Sequence, residues 1–224
     1  MGAIARALAN SITTGGVVQA SAINNTSVSS VTALPSGVDT GDLVLISSQT
    51  ASASASIEFT SGLDSTYDSY VFKFINIHPS NTAQFSFQGN ASGGSGYNET
   101  ITSTVFQSFH REDDSSTSLN YRTGDDQAQG TGFQILTNTV GDDADQSCSG
   151  YLQLFNPSST TFVKHFISRI QVYRSTGSGA EASSVEHYSA GYFNTTSAID
   201  QIQFKMSSGN IDDGIISLYG VKKS

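Results

Sequence analysis

The spacing of hydrophobic positions along the chain changes near residue 42. Before that point Ile4, Leu8 and Ile12 recur every four residues among alanines, a short helical stripe that Thr13-Thr14-Gly15-Gly16 ends. The stretch that follows scatters Val17, Val18, Ile23, Val28, Val31 and Leu34 among Ser, Thr and Asn, and Pro35-Ser36-Gly37 closes it. So short a helix does not hold by itself in water. Residues 1–42 are therefore expected to form an arm, a short helix and then extended chain, that orders by docking on a partner through those nine apolar side chains. A leader that docks on nothing is the alternative.

From Asp42 onward the period is two. Leu43-Val44-Leu45-Ile46 and Ile57-Glu58-Phe59 read as strands, followed by the strongest signal in the chain, Ser69 to Ile77. There Tyr70, Phe72 and Phe74 fall on one face and Val71, Ile75 and Ile77 on the other, which predicts a strand packed on both sides. Pro79 ends it because proline has no N–H for a ladder. Gln84 to Gln88 alternates as a half-buried strand, and Thr100 to His110 carries Ile101, Val105, Phe106 and Phe109. Further strands are expected at Leu119 to Arg122, Phe133 to Leu136, Gly150 to Phe155, Phe162 to Tyr173, Val185 to Phe193, Ile199 to Met206 and Ile215 to Val221. Phe162, Phe166, Ile170 and Val172 are expected to share a side, and Ser208 to Gly214 to supply the last hairpin. With turn signals every 8 to 15 residues, residues 43–224 are expected to be an all-β domain, an antiparallel two-sheet sandwich of jelly-roll type.

Composition narrows the function. Charged residues make up 13% of the 224, about half the usual share, and small neutral polar groups replace them. Such a surface is cheap to desolvate and suits protein contacts. With a formal charge of −9 and Lys+Arg 10, the chain lacks the cation density of a phosphate-tracking groove, so no nucleic-acid partner is expected. No apolar run approaches the roughly 20 residues of a membrane helix, and the first ten residues lack a signal-peptide core, so no membrane partner is expected.

Candidate chemistry is sparse. Cys148, the single cysteine, excludes an intrachain disulfide and reads as a small apolar side chain within a strand. The doublets Asp113-Asp114, Asp125-Asp126, Asp142-Asp143 and Asp212-Asp213 read as solvated turns; converging loops of this kind are an alternative calcium site, but none has the spaced ligand ladder of an EF-hand. His165 and His187 fall in expected strands that can bring them together across a sheet, with Asp145 or Glu186 near, and no metal spacing constrains them. No nucleophile elbow, P-loop or dinucleotide pattern is present, so neither an enzyme nor a cofactor is expected. Tyr97, Tyr121, Tyr173, Tyr188 and Tyr192 are a candidate sugar-stacking patch, or else core tyrosines with wet hydroxyls.

The strings Leu63-Asp64-Ser65-Thr66-Tyr67-Asp68-Ser69-Tyr70, Phe155-Asn156-Pro157-Ser158-Ser159-Thr160-Thr161 and Ser208 to Val221 resemble virion proteins of tailed bacteriophages, marine ones especially. The resemblance spans residues 43–221 and implies a non-enzymatic part of the particle located in the virion. A capsid decoration or cement protein stabilising the head is the leading expectation, as a homotrimer contacting the major capsid protein. A tail-fibre or receptor-binding module anchored by the arm is the alternative. A carbohydrate-active enzyme would need paired carboxylates in a cleft, whereas the acids here fall mainly in turns.

Overall fold

The computed structural model describes residues 42–174 and 182–222. Among them are thirteen strands and no helix: β1 (Leu43–Thr50), β2 (Ile57–Phe59), β3 (Ser69–Pro79), β4 (Phe85–Ala91), β5 (Ile101–Arg111), β6 (Thr117–Tyr121), β7 (Ala128–Gly130), β8 (Gln134–Ile135), β9 (Cys148–Phe155), β10 (Lys164–Arg174), β11 (Ser183–Phe193), β12 (Ile199–Met206) and β13 (Ile211–Val221). They form two antiparallel sheets, one of nine strands ordered β1-β13-β3-β9-β10-β11-β5-β6 with β7 also on β5, the other of four ordered β2-β12-β4-β8. The sheets face each other as a jelly-roll-like sandwich, as the alternation predicts.

The core lies between the sheets and is aromatic. Tyr70, Phe72 and Phe74 on β3 are buried, as expected from their shared parity. Phe72 and Phe74 meet the small sheet at Phe204, whose ring lies within 5.1–6.3 Å of Phe59, Phe72, Phe74, Phe85 and Phe87, mostly edge to face. Ile77, expected opposite Phe74, joins the same core at 0% exposure. Asn76 takes φ 51°, the ladder to β9 shifts register between Phe74 and Ile77, and this bulge returns Ile77 to the inner face. Ile75 is left outside, 48% exposed, where the sequence predicts packing.

Other boundaries moved for physical reasons. β4 is buried along its whole length because Gln88 Nε2 donates to the carbonyls of Glu99, Thr131 and Gly132, which bring two loops over its outer side. Phe162 is 68% exposed and lies before β10; Ser159 Oγ accepts from the Thr161 and Phe162 amides and holds that segment as a turn. Asp212 and Asp213 belong to β13, where register shifts and Gly214 at φ 120° absorb the extra residues. Cys148 is buried in β9, and burial pushes its thiol up to about 12.

The small sheet ends at β8, which lies against β5 and β11 of the large one: Ser189 Oγ donates to the Ile135 carbonyl at 3.4 Å. Polar side chains line part of this side: Gln134 accepts from Ser103 Oγ at 2.6 Å, and Asn138 donates to Gln107 Oε1 at 3.1 Å. At the other end of the large sheet β1 pairs with β13, and the Lys222 amide donates to the Asp42 carbonyl.

Candidate partner-contact face

Strand alternation fixes what the large sheet shows to solvent. On β10, Phe166, Ser168, Ile170 and Val172 turn inward, so His165, Ile167, Arg169 and Gln171 turn outward. On β5, Ile101, Ser103 and Val105 are inward and Phe106 outward; on β9, Leu152 and Leu154 are inward and Tyr151 outward. Among the described residues, ten large hydrophobic side chains are exposed. Nine of them, Leu43, Leu45, Ile75, Phe106, Leu119, Tyr121, Tyr151, Ile167 and Ile215, sit on this outer face, and only Phe162 does not.

Register lines several of them up. Lys73 pairs with Tyr151, Tyr151 with Arg169, Arg169 with Tyr188, Tyr188 with Phe106 and Phe106 with Tyr121. This row crosses six strands, roughly 25 Å at the usual strand spacing. Lys73 Nζ lies 5.1 Å from the Tyr219 ring centre and the Arg169 guanidinium 5.4 Å from that of Tyr188, so both cations are partly covered by aromatic faces. Arg169 also pairs with Glu186, whose carboxyl is held below its ordinary value chiefly by that hydrogen bond. Beside the row, Ala190 floors a shallow depression of about 470 Å³ rimmed by Phe155, His165, Ile167 and Tyr192.

Four of the five tyrosines singled out in the sequence, Tyr121, Tyr173, Tyr188 and Tyr192, lie on outward positions of this sheet. Tyr97 does not: its hydroxyl meets Glu58 Oε2 at 3.2 Å beside the small sheet, and burial with nearby Glu58 and Asp200 pushes it up to about 12. The histidines do not meet. His165 faces outward and His187 is fully buried on the inner face. The partner of His187 is neither Asp145 nor Glu186 but Asp125, 3.4 Å away.

Asp125 is accordingly no solvated turn residue. Burial would raise its carboxyl, but hydrogen bonds from His187 and Arg122, the latter at 2.9 Å, outweigh that and lower it to about 2. Gln84 donates to its other oxygen. The arrangement ties the 122–126 turn to β11. The sequence reading missed the outward role of Phe106, Tyr151 and Ile167. The nine arm positions, from Ile4 to Leu34, lie outside the described residues. No family model and no curated protein matches the chain.

Proposed function

We propose that the chain is a non-enzymatic structural protein of a tailed-bacteriophage particle, a decoration or cement protein of the head that adheres to neighbouring subunits through the outer face of the nine-stranded sheet. Among the described residues, the concentration of nine of ten exposed large hydrophobics on that one face carries the reading. Monomeric surfaces rarely collect apolar side chains so unevenly. Aromatic residues with a few covered cations are the composition of a protein contact, and low overall charge keeps the cost of drying the face small. The phage-like strings supply the setting, and a homotrimer on the capsid is the assembly proposed.

In mechanism, burying this face and the arm across several capsid subunits adds area that must be re-exposed before the shell opens. At roughly 25 cal/mol per Å² of apolar area, a standard interface of about 800 Å² per partner resists outward pressure from packaged DNA. Particles lacking the protein lose heat and osmotic-shock resistance and regain it on adding the purified chain; unchanged resistance overturns the reading. The outward tyrosines favour a second reading, a receptor-binding tail module in which rings stack on sugars. Labelled particles imaged by electron microscopy separate the two, since hundreds of copies place it on the head and a few to dozens on the tail.

A further inference from the structure

We propose that Phe162 anchors one copy of this chain to the next, its ring seated in the depression over Ala190 of a neighbouring copy. The inference rests on the self-association through the outer face proposed above, and names the side chain and the hole that carry it. The hole follows from strand alternation. On β11 the outward positions run Tyr188, Ala190, Tyr192, so a single methyl group stands between two tyrosines. Its register neighbours are Ile167 on β10 and Thr104 on β5. His165 and Tyr192 close one side with ring centres 6.1 Å apart, and Phe155 completes the rim of the depression of about 470 Å³. A cavity of roughly 150 Å³ takes a benzene-sized ring, so there is room for a phenyl group and the chain that carries it.

Among the described residues, Phe162 is the exposed large hydrophobic side chain that lies off the outer face, 68% exposed on the turn between β9 and β10. Single exposed apolar residues are ordinary, but the framework behind this one is not. Its amide donates to Ser159 Oγ at 3.1 Å, and its carbonyl accepts from Lys164 Nζ at 2.7 Å. Lys164 is fully buried and also donates to the Thr195 carbonyl at 3.1 Å. Burying an ammonium group is costly unless polar partners meet it, and one of the partners here is the backbone of the exposed ring residue itself. The ring therefore stands on a fixed backbone, which lowers the ordering cost of binding and suits an aromatic anchor.

Charge and position make a second copy the occupant. Phe155 ends β9 and His165 is the second residue of β10, so the turn that joins these strands sets Phe162 beside the hole they rim. Each copy thus offers knob and hole together. Neither the turn 156–163 nor the lining of the depression contains Asp, Glu, Lys or Arg. Two copies of a chain carrying −9 repel each other, and a patch without charges is where they approach at least cost.

Size-exclusion chromatography with light scattering, run on the full chain over a dilution series, tests this. Phe162→Ser removes the knob, and Ala190→Arg fills the hole; Ile167→Lys, on the exposed rim, replaces the latter if its melting profile changes. Each is expected to weaken self-association at least about tenfold, the loss usual for an aromatic anchor. Ser208→Arg, just past the end of β12 remote from the Phe162 turn, adds the same charge and is expected to leave association unchanged. Knob and hole act between copies, so mixing Phe162→Ser with Ala190→Arg restores one intact pair. Native mass spectrometry is expected to show a complex of one copy of each. A parent chain that stays monomeric throughout, or a mixture that gives no such complex, overturns the proposal. Loss of assembly in Phe106→Ser/Tyr188→Ser, with none in the Phe162 and Ala190 variants, overturns the anchor alone and leaves the outer-face contact standing.

Discussion

Phe106 and Tyr188 lie flat against each other on the open side of the large sheet, ring centres 4.7 Å apart and planes within 11°. Phe106 is itself 42% exposed, so the stack adds only about 1 kcal/mol within the chain. Its larger effect is expected in association. The double variant Phe106→Ser/Tyr188→Ser is predicted to melt within a few degrees of the parent yet to elute as a monomer, read by size-exclusion chromatography with light scattering. An unchanged assembly mass would show that this face is not the contact.

Phe204 is the opposite case, a ring whose neighbours are all internal. Truncation to Ala removes contacts to five phenylalanines from both sheets. A cost of about 3–5 kcal/mol is expected from lost burial plus the cavity left behind, measured as a lower urea midpoint at constant slope. A loss below about 1 kcal/mol would mean that the sheets repack around the gap.

Asp125 makes stability depend on acid. Its carboxyl is lowered to about 2 in the folded chain against about 3.9 when unfolded, so its contribution is complete above about pH 4 and is lost as pH falls through about 2. The difference corresponds to about 2–3 kcal/mol. Asp125→Asn is predicted to lose about that amount at neutral pH and to flatten the decline of stability between pH 4 and 2, followed by urea unfolding across that range. Parallel pH curves for parent and variant would refute the role.

Asn76 holds the bulge in β3 with a left-handed backbone. Its amide donates to Ser149 Oγ at 2.9 Å. Glycine at this position should be tolerated within about 0.5 kcal/mol, whereas valine should cost about 1–3 kcal/mol, because a β-branched residue pays heavily for positive φ. Equal melting temperatures for the two variants would place the strain elsewhere.

Much of the fold is written locally and the rest is not. The alternation of Tyr70, Phe72 and Phe74 is enough to find β3 and its buried side, but nothing in a period of two announces that Asn76 will insert a step and turn Ile77 inward. The outward position of Phe106 was legible, since it lies one residue from Val105 and therefore on the other face. So was the separation of His187 from Glu186, its chain neighbour. The Lys73-to-Tyr121 row was not, because it depends on pairings such as β3 with β9 and β11 with β5, which join segments far apart in the chain. Asp125 looked like half of an acidic turn for the same reason: its partner His187 is 62 residues away.

The hydrogen bond from the Lys222 amide to the Asp42 carbonyl brings the chain's way in and its way out of the sandwich to one corner. That corner is the β1-β13 margin, and the opposite margin at β6 lies six strand spacings beyond β13, roughly 30 Å across the sheet. A fluorophore or fusion partner joined near either residue therefore shares a single attachment point and leaves the β5-β6 margin sterically clear. Tension applied through both ends would load the β1-β13 pair first, sparing the aromatic centre.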